Sequence, residues 1–272
     1  MDKNKLNNVE TCVYTWFGFR YPFEEIIRLI KEAGFDSVMT WWGDEFKEID
    51  GEKENKPEII RNCGLKLENV HFPFEGINSI WENTLNGQDI FNMFLSYIGD
   101  CKIHDIPTAV IHVTSGDNPP PFGQLGLDRF KNLIEKAEKY GVTIALENLR
   151  KPEYLDFIFQ NIESDSLKFC YDSGHENCFT PDIDLLSKYG DKLVALHLHD
   201  NDGTGDQHLL PFNGTIDWGR IMKKLKSLDY KGSLALEIDA QYINVSEEYT
   251  AIKYLSDGIN SARRLMDILQ IN

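Results

Sequence analysis

Between Leu193 and Trp218 the chain reads LVALHLHDNDGTGDQHLLPFNGTIDW, an apolar run that ends in His197, His199, Asp200, Asp206 and His208. Side chains alternate along a strand, so His197 and His199 are expected on one face. Imidazole and carboxylate together form the ligand set of zinc, manganese, cobalt or iron, whereas calcium and magnesium prefer oxygen alone. The stretch therefore reads as part of a metal site, provided that other strands bring ligands to the same place. Five further apolar runs also end in metal-capable side chains: His71, His112, Glu147, Asp172 with His175 just beyond, and Glu237. Alone, His71 or His112 is ordinarily a hydrogen-bonded core histidine. Asp172 and His175 alone read equally as a helix cap and a surface residue, and Asp206 and His208 as a solvated turn. Glu147 and Glu237 differ, because a carboxylate inside a buried mouth is strongly disfavoured unless it is paired or bound to a cation. Recurrence at equivalent strand ends is what points to a shared metal site.

The elements that must position these residues are short apolar runs alternating with stretches of helical spacing. Strands are expected at 12–17, 37–42, 67–72, 108–113, 143–147, 167–172, 193–198 and 233–237. Helices are expected at 23–33, 57–63, 90–104, 127–140, 154–161, 181–189, 216–228 and 246–270. Gly34, Gly64, Gly141 and Gly190 supply helix stops, and Pro181 suits a first helical turn. Such alternation implies parallel strands joined by right-handed crossovers, and eight strands close into a (β/α)8 TIM barrel. An open doubly wound sheet is the alternative. No linker or composition shift divides residues 1–272, so a single domain is expected. The longest loops, 73–89, 114–126 and 200–215, all follow strands, which places them on the substrate-binding face of a barrel. His104 falls at a helix end and reads as structural.

The 272 residues include 28 basic and 44 acidic side chains, a formal charge of -16. Binding to nucleic acid requires Lys and Arg in place of counterions, so this charge argues against such a partner. The five cysteines, Cys12, Cys63, Cys101, Cys170 and Cys178, form no CxxC pair and fit a reducing compartment as small buried residues. The opening MDKNKLNNVE lacks an apolar secretion signal, and no run reaches the ~18 apolar residues of a membrane span. A soluble cytoplasmic protein with no membrane partner is expected. If the chain is a homo-oligomer, Trp81 and loop 73–89 are the segments expected to pack on a neighbour.

As an ordered set, several motifs resemble the xylose isomerase-like TIM barrel superfamily, which contains sugar and sugar-phosphate isomerases and epimerases, inosose dehydratases and the endonuclease IV group. They are Glu147-Asn148, Asp172-Ser173-Gly174-His175, the His-x-x-Asp of His197 to Asp200, the Asp-x-His of Asp206 to His208 followed by Gly214-Thr215-Ile216-Asp217-Trp218, and Glu237. The resemblance runs from the first strand to the eighth, and it implies a divalent metal cofactor, zinc, manganese or cobalt. The single-metal members imply Glu147, Asp172, His197 and Glu237 as its ligands. In epimerases of this kind the two glutamates also act as acid and base on either side of the substrate carbon. The endonuclease members hold three zinc ions, which would add His71, His112, His175, Asp206 and His208.

The reaction implied first is proton transfer on a small carbohydrate, with Glu147 and Glu237 catalytic. A divalent metal that chelates a carbonyl and its neighbouring hydroxyl acidifies the α-proton and stabilises the developing charge. One carboxylate then removes the proton and another group returns it, from the same face for isomerisation or the opposite face for epimerisation. Trp16, Trp41 and Trp42 are candidates for an apolar wall against the sugar ring, and His71, His175 and His199 for polar contacts with it. Arg150, with Lys151 and Arg20, is a candidate for holding a phosphate or carboxylate. The alternative is a multi-zinc phosphodiesterase acting on abasic DNA. The ligand set allows it, but the acidic charge and the scarcity of Lys and Arg in the strand-end loops weigh against it.

Overall fold

The computed structural model describes residues 9–242 and 250–270. Its strands are β1 (Thr11–Tyr14), β2 (Ser37–Trp41), β3 (Lys66–His71), β4 (Thr108–Ile111), β5 (Thr143–Glu147), β6 (Leu167–Asp172), β7 (Leu193–His197) and β8 (Leu234–Leu236). They pair in the order β7-β6-β5-β4-β3-β2-β1-β8. Leu198 N donates to Ala235 O at 2.8 Å and Glu237 N donates to Leu198 O at 3.1 Å, so the two ends of this order meet. Closure removes the unpaired edges an open sheet would keep, and the fold is a (β/α)8 TIM barrel rather than a doubly wound sheet.

The helices are α1 (Phe23–Ala33), α2 (Lys47–Asp50), α3 (Lys56–Asn62), α4 (Leu85–Ile103), α5 (Gln124–Tyr140), α6 (Glu153–Asn161), α7 (Ser173–Phe179), α8 (Leu185–Tyr189), α9 (Trp218–Ser227) and α10 (Ala251–Gln270). Helix α1 shows why they form. Phe23, Ile26, Ile27 and Ile30 bury one face against the barrel, and Glu24 and Glu25 sit in the first turn with Lys31 in the last. Each such burial stabilises by about 1.5–3 kcal/mol, and the charges complement the helix dipole. Gly34 ends the helix at φ 97°, its N–H reaching the carbonyls of Ile30 and Lys31.

Several boundaries differ from the sequence reading. Strand β1 stops at Tyr14, so Trp16 and Phe17 belong to the loop beyond it. Helix α4 begins at Leu85 because Thr84 accepts from Gly87 N. The helix expected over 181–189 forms only from Leu185: the Asp184 side chain caps Ser187 N, and Pro181 lies outside the helix. Helix α7 is an element that the apolar spacing does not predict, and it begins at the expected Asp172 cap, which accepts from His175 N. Residues 246–249 of the expected last helix lie outside the described residues. Trp81 does not reach out to a neighbour. It is 5% exposed, donates from Nε1 to Val113 O at 2.7 Å and packs against Phe130 and Tyr154. No helix among the described residues is long and apolar enough to cross a membrane.

The barrel interior explains how the mouth is built. Val110, Ala145, Cys170 and Ala195 are buried together as a layer of small residues on β4 to β7. Two residues further along each of these strands, the alternation brings His112, Glu147, Asp172 and His197 to the same side.

Candidate metal centre

Glu147 is the hub of that polar layer, with its side chain 1% exposed. Its Oε2 lies 3.1 Å from His71 Nε2, 3.3 Å from His112 Nε2 and 3.3 Å from His197 Nδ1. Its Oε1 lies 3.1 Å from His175 Nδ1. His197 Nδ1 is also 3.1 Å from Glu237 Oε2, so it stands between the two glutamates. A ligand atom each from Glu147, Asp172, His197 and Glu237 lies within 4.8 Å of the others. His71, His112 and Glu147 form a second such group, and His199, His208 and Glu237 a third. Around Asp206, Oδ2 is 3.1 Å from His175 Nε2 and 3.3 Å from His208 Nε2.

These donors fit a cation better than they fit one another. Metal bonds of about 2.0–2.2 Å set neighbouring ligand atoms about 3.0–3.5 Å apart, which is the spacing seen. His197 Nδ1, His199 Nδ1 and Asp206 Oδ1 are buried without a hydrogen-bond partner, although carboxylate oxygens stand beside His197. Buried polar atoms left in this way are costly unless something else satisfies them. The backbone of His208 has φ 46°, a left-handed conformation uncommon for a residue with a Cβ. That strain is of the kind that collects at functional sites.

The electrostatics agree. Burial pushes the Glu147 carboxyl up, but His197 and His112 outweigh it and hold it well below the usual range. Burial also opposes ionisation of Glu237, and His197 again prevails, bringing it to about 2. Desolvation disfavours a charged His208, yet its hydrogen bond with Asp206 and the charge of Glu237 raise it to about 10. His175 and His197 are raised well above the ordinary histidine value against their burial, by Asp172 and Asp206 for the first and by Cys170, then Glu237 and Glu147, for the second. His112 is lowered, because there burial wins. The carboxylates thus stay ionised and gather positive charge around them, a role that a divalent cation fills with the histidines neutral.

Outer residues hold these ligands in place. Asn148 Oδ1 accepts from Asp172 N at 2.7 Å and its Nδ2 donates to Asp172 O at 2.9 Å, which fixes the end of β6 against β5. Asp172 has two jobs, with Oδ1 capping α7 through His175 N at 2.6 Å and Oδ2 lying 3.1 Å from His199 Nε2. Asp200 is not among the clustered ligands. Its Oδ1 accepts from Asn201 N and Ile216 N, and its Oδ2 from Phe212 N and Trp218 Nε1. It thereby folds the loop that carries Asp206 and His208.

Above the cluster opens a cavity of about 260 Å³. Of the residues singled out in the sequence, Trp16, Trp41, His71, His112, Glu147, His175, Asp206, His208 and Glu237 line it. His199 does not: it is fully buried, stacked on His208 with ring centroids 4.0 Å apart, and groups with His208 and Glu237 as a candidate metal donor. Arg150 also stays off the cavity wall, because its guanidinium is drawn 3.5 Å over the Phe179 ring. Trp42 points away from the mouth and donates to Asp100 Oδ2 at 3.2 Å. Arg20 lies over Trp16 at 5.7 Å, outside this cavity. The sequence reading did not name Tyr14, Phe46, Phe74, Glu75, Ile238, Asp239 and Gln241, which complete the wall. Only Tyr14 carried a usable signal, as the next inward position after Cys12 on β1.

A family model described as xylose isomerase-like TIM barrel matches residues 27–265. The fructoselysine 3-epimerase of Escherichia coli O157:H7 is 32% identical, over 89% of this chain and 94% of that protein. The crystal structure of D-psicose 3-epimerase with D-tagatose from Clostridium cellulolyticum H10 superposes with a TM-score of 0.76 at 14% identity, covering 96% of this chain and 100% of that one. The structure of the IOLI protein with a bound zinc atom gives a TM-score of 0.75 at 18% identity, covering 96% and 98%. The last two likenesses are of fold.

Proposed function

The chain belongs to the xylose isomerase-like TIM barrel family, and from that premise we propose that it is a divalent metal-dependent ketose epimerase or isomerase. The observation that carries this reading is the pairing of Glu147 and Glu237 across His197 on the floor of one cavity, at 3.3 and 3.1 Å. The names of the relatives, both 3-epimerases, favour the carbon next to a ketose carbonyl as the reacting centre.

Glu147, Asp172, His197 and Glu237 would hold the metal, with zinc, manganese and cobalt all suited to such a donor set. When bound, a divalent ion polarises a carbonyl and its neighbouring hydroxyl and makes the hydrogen between them acidic. Glu147 and Glu237 enter from β5 and from just beyond β8, and so reach the substrate carbon from different sides. Both carboxylates are held ionised, so one would take the substrate proton and keep it while the other, after taking a proton from solvent, would return one to the opposite face. His71 and His175 lie on the cavity wall within reach of substrate hydroxyls, and Trp16 and Trp41 offer ring faces to the carbon skeleton.

The test is deuterium exchange from heavy water into a ketose, followed by nuclear magnetic resonance on metal-loaded protein. Wild type should exchange the proton beside the carbonyl. Glu147→Gln and Glu237→Gln should each reduce exchange by at least about 10²-fold, the lower end of general acid–base contributions. Undiminished exchange in both would remove the glutamates from the mechanism.

One observation favours a second reading. His71 and His112 gather on Glu147 while His175 and His208 gather on Asp206, so donors for further ions are at hand, as a multi-zinc phosphodiesterase would need. Against it, no Lys or Arg among the described residues lines the cavity, and a phosphodiester backbone calls for them.

A further inference from the structure

The cavity has two unlike sides. The donor cluster draws mainly on the ends of β4 to β7, with His71 and Glu237 at its borders. Facing it are the end of β2 and the loops after β8, β1, β2 and β3, which are neighbours in the sheet. These supply Asp239, then Trp16, then Trp41 and Phe46, then Phe74 and Glu75 to the cavity wall. The four rings form a continuous series: Phe46 lies 4.5 Å from Trp16 and 6.3 Å from Trp41, and Trp41 lies 5.4 Å from Phe74.

Asp239 is only 6% exposed. Gln241 N and Nε2 donate to its two oxygens at 2.9 and 2.6 Å, which orients the carboxylate without neutralising it. Glu75, exposed beside Phe74, has the same charge, and a third carboxylate, Glu45, accepts from Trp41 Nε1 at 2.8 Å. Of the basic side chains nearby, Lys53 is bound to Asp44 and Lys56 to Asp50, while Arg20 lies 5.7 Å over Trp16 without lining the cavity. Aromatic faces bordered by carboxylates, with no Lys or Arg among the described residues lining the cavity, attract an ammonium group and repel a phosphate.

We propose that this aromatic and acidic wall is an ammonium subsite, so that the substrate is an unphosphorylated ketose carrying a cationic nitrogen away from its reacting carbon. The ketose part rests on the epimerase reading above. The charge preference does not, and it is open to a separate measurement.

The experiment is titration calorimetry on metal-loaded protein with three probes that have no carbonyl and so cannot turn over. They are a hexitol, the same hexitol with a terminal trimethylammonium group, and the same hexitol with a terminal phosphate. A quaternary nitrogen cannot ligate the metal, so any gain comes from the wall. The trimethylammonium probe should bind about tenfold more tightly than the neutral hexitol, and the phosphate more weakly than either. Glu75→Gln, at an exposed position that tolerates exchange, should reduce that ratio, and Glu75→Gln with Asp239→Asn should bring it close to one. Equal affinity for the cationic and neutral probes, tightest binding of the phosphate, no binding of any probe, or an unchanged ratio in both variants would each overturn the subsite. Because no step of catalysis enters this readout, its failure is distinct from loss of proton exchange in heavy water.

Discussion

Replacing Asp200 by Asn should loosen the loop that brings Asp206 and His208 to the cluster. The wild-type carboxylate is fully buried. It accepts on one oxygen from Asn201 N at 3.0 Å and Ile216 N at 3.2 Å, and on the other from Phe212 N and Trp218 Nε1, both at 2.9 Å. An asparagine keeps one oxygen. Whichever way its amide turns, the NH₂ faces two donors and leaves them buried without an acceptor. Each such orphan costs about 1–3 kcal/mol, so the substitution should cost about 2–6 kcal/mol. A chain of this size loses about 2–4 °C of melting temperature per kcal/mol, which gives a fall of about 4–24 °C. The backbone bridge between Asp200 and Leu209 remains, so the barrel should still fold. Thermal unfolding at saturating divalent metal reads the cost, and amide hydrogen exchange at Phe212 and Ile216 locates it. A melting point within about 1 °C of wild type, with unchanged protection of those two amides, would refute the assignment of Asp200 as the loop's anchor.

Other substitutions probe the ligand cluster and its surroundings. Gly174→Ala would set a Cβ 1.9 Å from His199 Cε1; displacing that ring from Asp172 should cost about 1–3 kcal/mol and lower metal affinity, measured by competition with a chelating dye, about tenfold. Arg150→Ala should leave proton exchange within about twofold of wild type, since Arg150 packs on Phe179 rather than on the cavity; a loss of more than about tenfold would put it back in the site. Metal added to chelator-treated protein at about 100 times its dissociation constant should stabilise by about 2.7 kcal/mol, raising the melting temperature by about 5–10 °C; no rise would argue that no ion binds the folded state preferentially.

The barrel was legible because its signals are local and repeated. Each strand is a short apolar run, and glycine stops such as Gly34 and Gly141 adopt the left-handed turn that the spacing calls for. The clustering of the candidate donors has a related origin in the sequence: a carboxylate or imidazole at an inward position, two residues beyond a small buried one, has little packing rationale. Departures arise where distant groups override local preference. Leu185 N is tied to Glu176 Oε2 at 3.0 Å, and with Asp184 as cap this sets the start of α8 past Pro181. Phe46 follows no periodic pattern, and it reaches the cavity because its segment is pinned by Lys53 to Asp44 and Lys56 to Asp50. Asp239 and Gln241 follow β8, beyond the strand alternation that could have assigned them a side. Alternation places His199 on the face of His197, but the strand ends at His197 and the His199 ring stacks on His208 away from the cavity wall.

The most direct measurement is the elemental metal content of protein purified without chelator, in wild type and in Asp172→Ala and His197→Ala. The geometry of Glu147, Asp172, His197 and Glu237 leads us to expect one tightly held zinc, manganese or cobalt per chain in wild type and marked loss in both variants. Two or three zinc ions per chain would instead favour the phosphodiesterase reading. No ion in the wild type, even after divalent metals are restored, would contradict a metal centre at this barrel mouth.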